Sequence, residues 1–182
     1  RGVIGPYLLL LGASGGALGL IVGISELLGY ALRGVSGFIA DKTKHYWTLT
    51  ILGYLLNLIS IPLLAIAGHW QVAAILIGLE RVGKSIRIPP RDAMLSFASK
   101  KIGRGWGFGI HESLDRVGAI LGPVIIAALL YYHKSYQFGF AILAIPAAIA
   151  IAILFFAKSL FPKPEKLEIK LSLKPKGLLF SY

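Results

Sequence analysis

The chain has 182 residues and a formal net charge of +11. It is 56% hydrophobic and only 15% charged, with a mean hydropathy of +0.75, where soluble domains carry about 25% charge. With no cysteine, this composition excludes disorder, a coiled coil and a disulfide scaffold. It argues against an ordinary soluble domain and leaves an all-α membrane protein that crosses the bilayer several times.

In chain order, Arg1-Gly2-Val3 shows neither an initiator methionine nor a basic-then-apolar leader, and the chain reads as a piece of something longer. Val3 to Leu11 is apolar but short and broken by Pro6, so residues 1–13 read as the end of a truncated first helix and an outer loop. A helix bundle over 14–158 follows, with five predicted spans. The first, 14–40, is opened by Ser14 as helix cap. The second is 46–67. The third, 70–97, turns charged after Leu79 and meets Pro89-Pro90, where a helix is expected to kink or stop. The fourth and fifth are 104–132 and 136–158. Each is about 20–28 residues, enough at about 1.5 Å per residue to cross a hydrocarbon core about 30 Å thick. Residues 159–182 read as a basic cytoplasmic linker.

The loops alternate in charge. Asp41-Lys42-Thr43-Lys44 is basic, Gly68-His69-Trp70 has no fixed charge, 100–104 is +3 and His133-Lys134-Ser135 is +1. From Lys158 onward six lysines oppose two glutamates, for +4. The positive-inside rule places 41–44, 100–104 and the tail in the cytoplasm, in a multi-pass protein of the plasma membrane. The excess positive charge is then topology plus contact with the lipid bilayer's anionic head groups. It does not imply nucleic acid, because no soluble face is predicted to carry a basic patch.

Two motif matches are decoys. Gly78 to Ser85 fits the phosphate-loop pattern G-x-x-x-x-G-K-S, but Pro89-Pro90 follow four residues later, where the helix that must support the loop should run. The alternative is a helix with small residues for packing and Lys84 facing a polar cavity. His111-Glu112-Ser113-Leu114-Asp115 falls short of the zinc-protease pattern, since Asp115 stands where a second histidine is needed. No metal, cofactor or catalytic residue is expected.

The loop after the first span carries more. In Gly37-Phe38-Ile39-Ala40-Asp41-Lys42 a glycine at a helix end allows close packing. The acid that follows can pair with a basic neighbour or cap the next helix N-terminus. This stretch resembles the G-x-x-x-D-(R/K) signature loop between the second and third helices of major facilitator superfamily transporters. It departs from the fuller pattern, since Thr43-Lys44 follow where a glycine is expected. Gly118-Ala119-Ile120-Leu121-Gly122-Pro123 is similar to the G-x-x-x-G-P packing motif of the family's fifth helix. The pieces Arg91-Asp92-Ala93, Arg104 to Gly109 and Asp115 to Ala119 resemble the join of its fourth and fifth helices. Arg81 matches the arginine of an R-x-x-x-G element in the fourth helix, with Ser85 in the glycine's place. The resemblance implies that the five spans match family helices 2–6. It further implies a helix before Arg1 and a missing C-terminal half, of six helices, after Tyr182. The implied activity is alternating access to a small-molecule substrate, driven by a proton or ion gradient rather than by ATP.

Depth arithmetic selects candidate coupling residues. Glu26 lies 12 residues in from Ser14, Arg81 11 in from Trp70, and Asp115 11 in from Arg104. These become about 18, 16 and 16 Å, near the middle of the core. Ionised groups there cost at least about 2.5–3.5 kcal/mol each unless paired or wet. Arg81 is therefore expected to pair with one carboxylate while the other faces a wet cavity and can carry a proton. Glu80 and Glu112 are possible substitutes, and Glu80 with Lys84 forms an i,i+4 pair that can simply self-neutralise. Two other classes fit the same residues: a membrane scaffold without transport, and an intramembrane metal-dependent enzyme built on His111, Glu112 and Asp115.

Overall fold

In hydrocarbon a backbone finds hydrogen-bond partners only within itself, so long apolar runs fold as helices. The computed structural model describes residues 3–133 and 135–164. Among them the regular elements are helices. They are α1 (Ile4–Leu10), α2 (Gly15–Thr43), α3 (Tyr46–Leu63) with a 3₁₀ turn over Leu64–Ile66, and α4 (Trp70–Ala98) with a 3₁₀ turn over Ser99–Lys101. Then come α5 (Arg104–His133), α6 (Tyr136–Ile142) and α7 (Ala144–Leu160). Among the described residues four stretches are long and apolar enough to cross a membrane: α2, α3 with its turn, α5, and α6–α7 together. At 29 residues α4 is also long enough, although its charged C-terminal half makes it more polar. The whole is an all-α membrane protein of about five spans.

The helix ends have local causes. The Ser14 hydroxyl accepts from Ala17 N–H at 3.1 Å and opens α2. Lys44 closes it in the left-handed region, at φ 58°. The expected stop at Pro89-Pro90 does not occur, and α4 runs on to Ala98. Pro90 cannot donate to the Ile86 carbonyl one turn back. The Ser36 hydroxyl of α2 donates to that carbonyl instead, at 2.6 Å. The fifth span is not continuous. Pro146 cannot donate to Ile142, and the helix breaks at Leu143, whose N–H reaches the Phe140 carbonyl three residues back.

α4 lies between α2 and α3. Contacts fix the directions. Glu26 meets Arg81, and Gly37 lies against Pro89, so α2 and α4 run parallel. Asn57 meets Glu80, and Tyr46 meets Phe97, so α3 runs opposite. At one end the buried Tyr7 hydroxyl donates to the Leu64 and Ala67 carbonyls, and its ring packs on Tyr136 and Phe140. At the other end Trp47 Nε1 donates to the Phe161 carbonyl at 2.7 Å. This second end carries Lys42, Lys44, Lys158 and Lys163, while His69 lies at the first. Residues 165–182, most of the expected linker, lie outside the described residues, as does Lys134.

Candidate functional site

A close approach of α3 and α4 sets the site. A Cβ on Gly53 would lie 2.6 Å from the Gly83 carbonyl oxygen, and one on Gly83 2.6 Å from Asn57 N. The α3 and α4 backbones therefore touch, as small residues permit in membranes. One turn from this crossing, Asn57 donates to Glu80 Oε1 at 3.0 Å and to the Glu80 carbonyl at 3.3 Å. From α2, Glu26 reaches Arg81 at 2.9 Å, and Arg81 Nε lies 3.3 Å from the other Glu80 oxygen. The Arg81 side chain is only 14% exposed. Three helices thus converge on a network of two carboxylates, one guanidinium and one amide. Arg81 forms ion pairs with both carboxylates, as enclosed charge requires, although its buried Nε makes no hydrogen bond.

A more basic layer follows one turn along α4. Lys84 makes no ion pair with a described residue. The Arg87 guanidinium stacks on the Tyr54 ring at 4.2 Å, and its buried Nε has no hydrogen-bond partner. Arg33 of α2 repeats this arrangement on Tyr30 at 5.1 Å. The largest charge effect on Lys84 comes from Glu80, with weaker ones from Arg87, Arg81 and, last, Asp115 of α5, which also acts on Arg87. Asp115 is exposed and is not brought to Arg81. Glu112 pairs with Arg116 on the surface of α5 at 2.6 Å and also stays apart from the network. Glu80 turns to Asn57 and Arg81, so the i,i+4 pair with Lys84 does not form.

The remaining candidates are more peripheral. A Cβ on Gly37 would sit 3.5 Å from Pro89 Cβ, ordinary contact between α2 and α4. Asp41 is exposed; among the described residues it neither pairs with Lys42 nor caps α3, whose N-cap His45 has no side-chain cap. Lys42 lies over the Phe38 ring at 5.9 Å. Gly118 is exposed, Gly122 and Pro123 are partly buried, and neither glycine approaches another described helix. Gly78 to Ser85 is helical throughout, so its N–H groups are held in the helix and form no phosphate cradle. Gly83 serves the α3 crossing instead. His111 and Asp115 gain no third ligand that could complete a metal site among the described residues.

The profile of the Major Facilitator Superfamily matches residues 1–181. The chain belongs to that superfamily. It is 41% identical over 169 residues to an uncharacterized protein of Mycobacterium tuberculosis, covering 92% of this chain and 41% of that one. An uncharacterized MFS-type transporter of Methanocaldococcus jannaschii is 33% identical over 177 residues, covering 94% and 44%. A benzoate transport protein of Acinetobacter baylyi is 32% identical over 126 residues, covering 66% and 26%. The chain therefore spans less than half the length of these relatives. No solved structure matches it.

Several residues of this superfamily member escaped the sequence reading. Asn57 interrupts the apolar run Leu55-Leu56-Asn57-Leu58-Ile59, a buried amide in a span and hence a sign of an interhelical bond. Gly53 and Ser36 carry no comparable signal, because their roles depend on Gly83 and Pro90 of another helix. Tyr54 and Arg87 are legible only as a pair.

Proposed function

We propose that the protein is a secondary transporter of the major facilitator type, moving a small organic solute by alternating access coupled to a proton or ion gradient. The observation that carries this reading is the Glu26–Arg81–Glu80–Asn57 network enclosed by α2, α3 and α4. Charge at that depth is costly and marks a functional path by default. In this reading Glu26 anchors Arg81, while the exposed Asp115 of α5 is the carboxylate able to change charge during the cycle. Gly37, Asp41 and Lys42 act in gating at the basic end, and Gly118, Gly122 and Pro123 offer a packing face to the other half of the transporter. The relatives' names, transporters of benzoate and of unspecified solutes, support a small molecule as substrate.

The test is uptake against pH in the full-length transporter. Asp115→Asn should flatten the pH dependence while uptake persists. Glu26→Gln should lower uptake at every pH, because Arg81 loses its interhelical partner. If neither substitution alters uptake or its pH dependence, the coupling role is wrong.

A further inference from the structure

A separate cavity of about 270 Å³ lies at the basic end of the bundle, between α3, α4 and α7. Met94, Leu154 and Ala157 make most of its wall apolar, and Thr50, Tyr54 and Arg91 supply polar groups. Thr50 is 1% exposed, yet its hydroxyl has no hydrogen-bond partner. A helical threonine ordinarily bonds the carbonyl one turn back. The Thr50 hydroxyl is thus a buried polar group with an unmade bond at the cavity wall. Arg91 spends two donors, Nε at 3.0 Å and Nη2 at 2.8 Å, on a single oxygen of Asp92. A guanidinium carries five N–H donors, so donors remain for a second anion.

The surroundings select the ligand. Lys42, Lys44, Lys158 and Lys163 lie at this end, where they attract anionic head groups. Trp47 also lines the cavity, in keeping with aromatic residues at the membrane interface. Among the described residues α7 has no buried residue, so the wall it forms is on the outside of the described helices. Pockets for drug-sized ligands run to roughly 300–1,000 Å³; this one is smaller and suits a single apolar chain. We infer that the cavity is a binding site for an anionic phospholipid, with one acyl chain against Met94, Leu154 and Ala157 and the phosphate on Arg91. The site contains none of Glu26, Asn57, Glu80 and Arg81, and it touches the basic layer only through Tyr54, on which Arg87 stacks.

Native mass spectrometry of the full chain in detergent tests it. The probes are phosphatidylglycerol and phosphatidylcholine with identical acyl chains. Phosphatidylglycerol should bind about tenfold more tightly (about 1.4 kcal/mol). Arg91→Gln should reduce that preference to about twofold or less. Ala157→Trp, which fills the cavity, should remove tight binding of both lipids; if that variant does not fold, Ala98→Leu at the cavity wall replaces it. Equal retention of the two lipids by the unmodified protein overturns the proposal, as does a preference that survives Arg91→Gln or either filling variant. Displacement of the lipid by glycerol phosphate or by benzoate at submillimolar concentration would also overturn it, since the site would then be one for a soluble anion.

Discussion

Replacing Gly83 by alanine probes the crossing on which the charged network rests. The new Cβ would lie 2.6 Å from Asn57 N, 2.7 Å from the Gly53 carbonyl oxygen and 2.8 Å from Leu56 Cβ. Non-bonded heavy atoms sit comfortably at about 3.5–4.0 Å, so α3 and α4 must part by about 1 Å. None of the three obstacles is the flexible end of a side chain, so the strain falls on the whole interface. The same movement takes Asn57 Nδ2 from 3.0 Å to the far side of hydrogen-bond range from Glu80. Overpacking costs about 1–3 kcal/mol, and an interhelical hydrogen bond in a membrane is worth about 0.6 kcal/mol on average. Alanine returns up to about 1 kcal/mol in helix propensity, which leaves a net loss of about 2 kcal/mol. Gly78→Ala is the control, because a Cβ there meets nothing within 4 Å on the same helix. SDS titration in mixed micelles, followed by circular dichroism, should show Gly83→Ala unfolding at a clearly lower SDS fraction and Gly78→Ala at or above that of the unmodified protein. Equal unfolding of the two variants would refute the reasoning.

Ser36→Ala should cost about 1–2 kcal/mol by stranding the Ile86 carbonyl. The cost should nearly vanish in a Pro90→Ala background, where a backbone N–H returns; SDS titration of the double-mutant cycle measures this. Single cysteines placed at Lys42, Lys100 and Lys163 should be labelled from one side of the membrane and one at His69 from the other, which a membrane-impermeant maleimide reports. Asp41→Asn in the full-length transporter should slow turnover several-fold and leave substrate affinity nearly unchanged, as separate measurements of uptake and binding would show.

Depth was legible in this sequence because it is a local quantity. Counting from the loop at each span's end put Glu26 and Arg81 at one level, and they meet at 2.9 Å. The alternation of loop charge matches the parallel run of α2 with α4 and the opposite run of α3. Azimuth was not legible, because it is settled between segments far apart in the chain. By the same count Asp115 lies at nearly the level of Arg81, but it is exposed on another helix and does not pair with it. The proline pair illustrates the same limit. Pro89-Pro90 read alone is a stop, and the serine that supplies the missing donor lies 50 residues earlier, on α2. The most polar span, α4, is also the one held between two others. Hydropathy ranks it as the poorest membrane helix, yet that central position is what its charges demand. Facing lipid, Glu80, Arg81 and Lys84 would each cost at least about 2.5–3.5 kcal/mol. Between α2 and α3, Glu26 pairs with Arg81 and Asn57 bonds Glu80, while Lys84 keeps Glu80 as the carboxylate that acts on it most. A span too polar for lipid must therefore be sought at the centre of the bundle, where neighbouring helices supply the partners that lipid cannot.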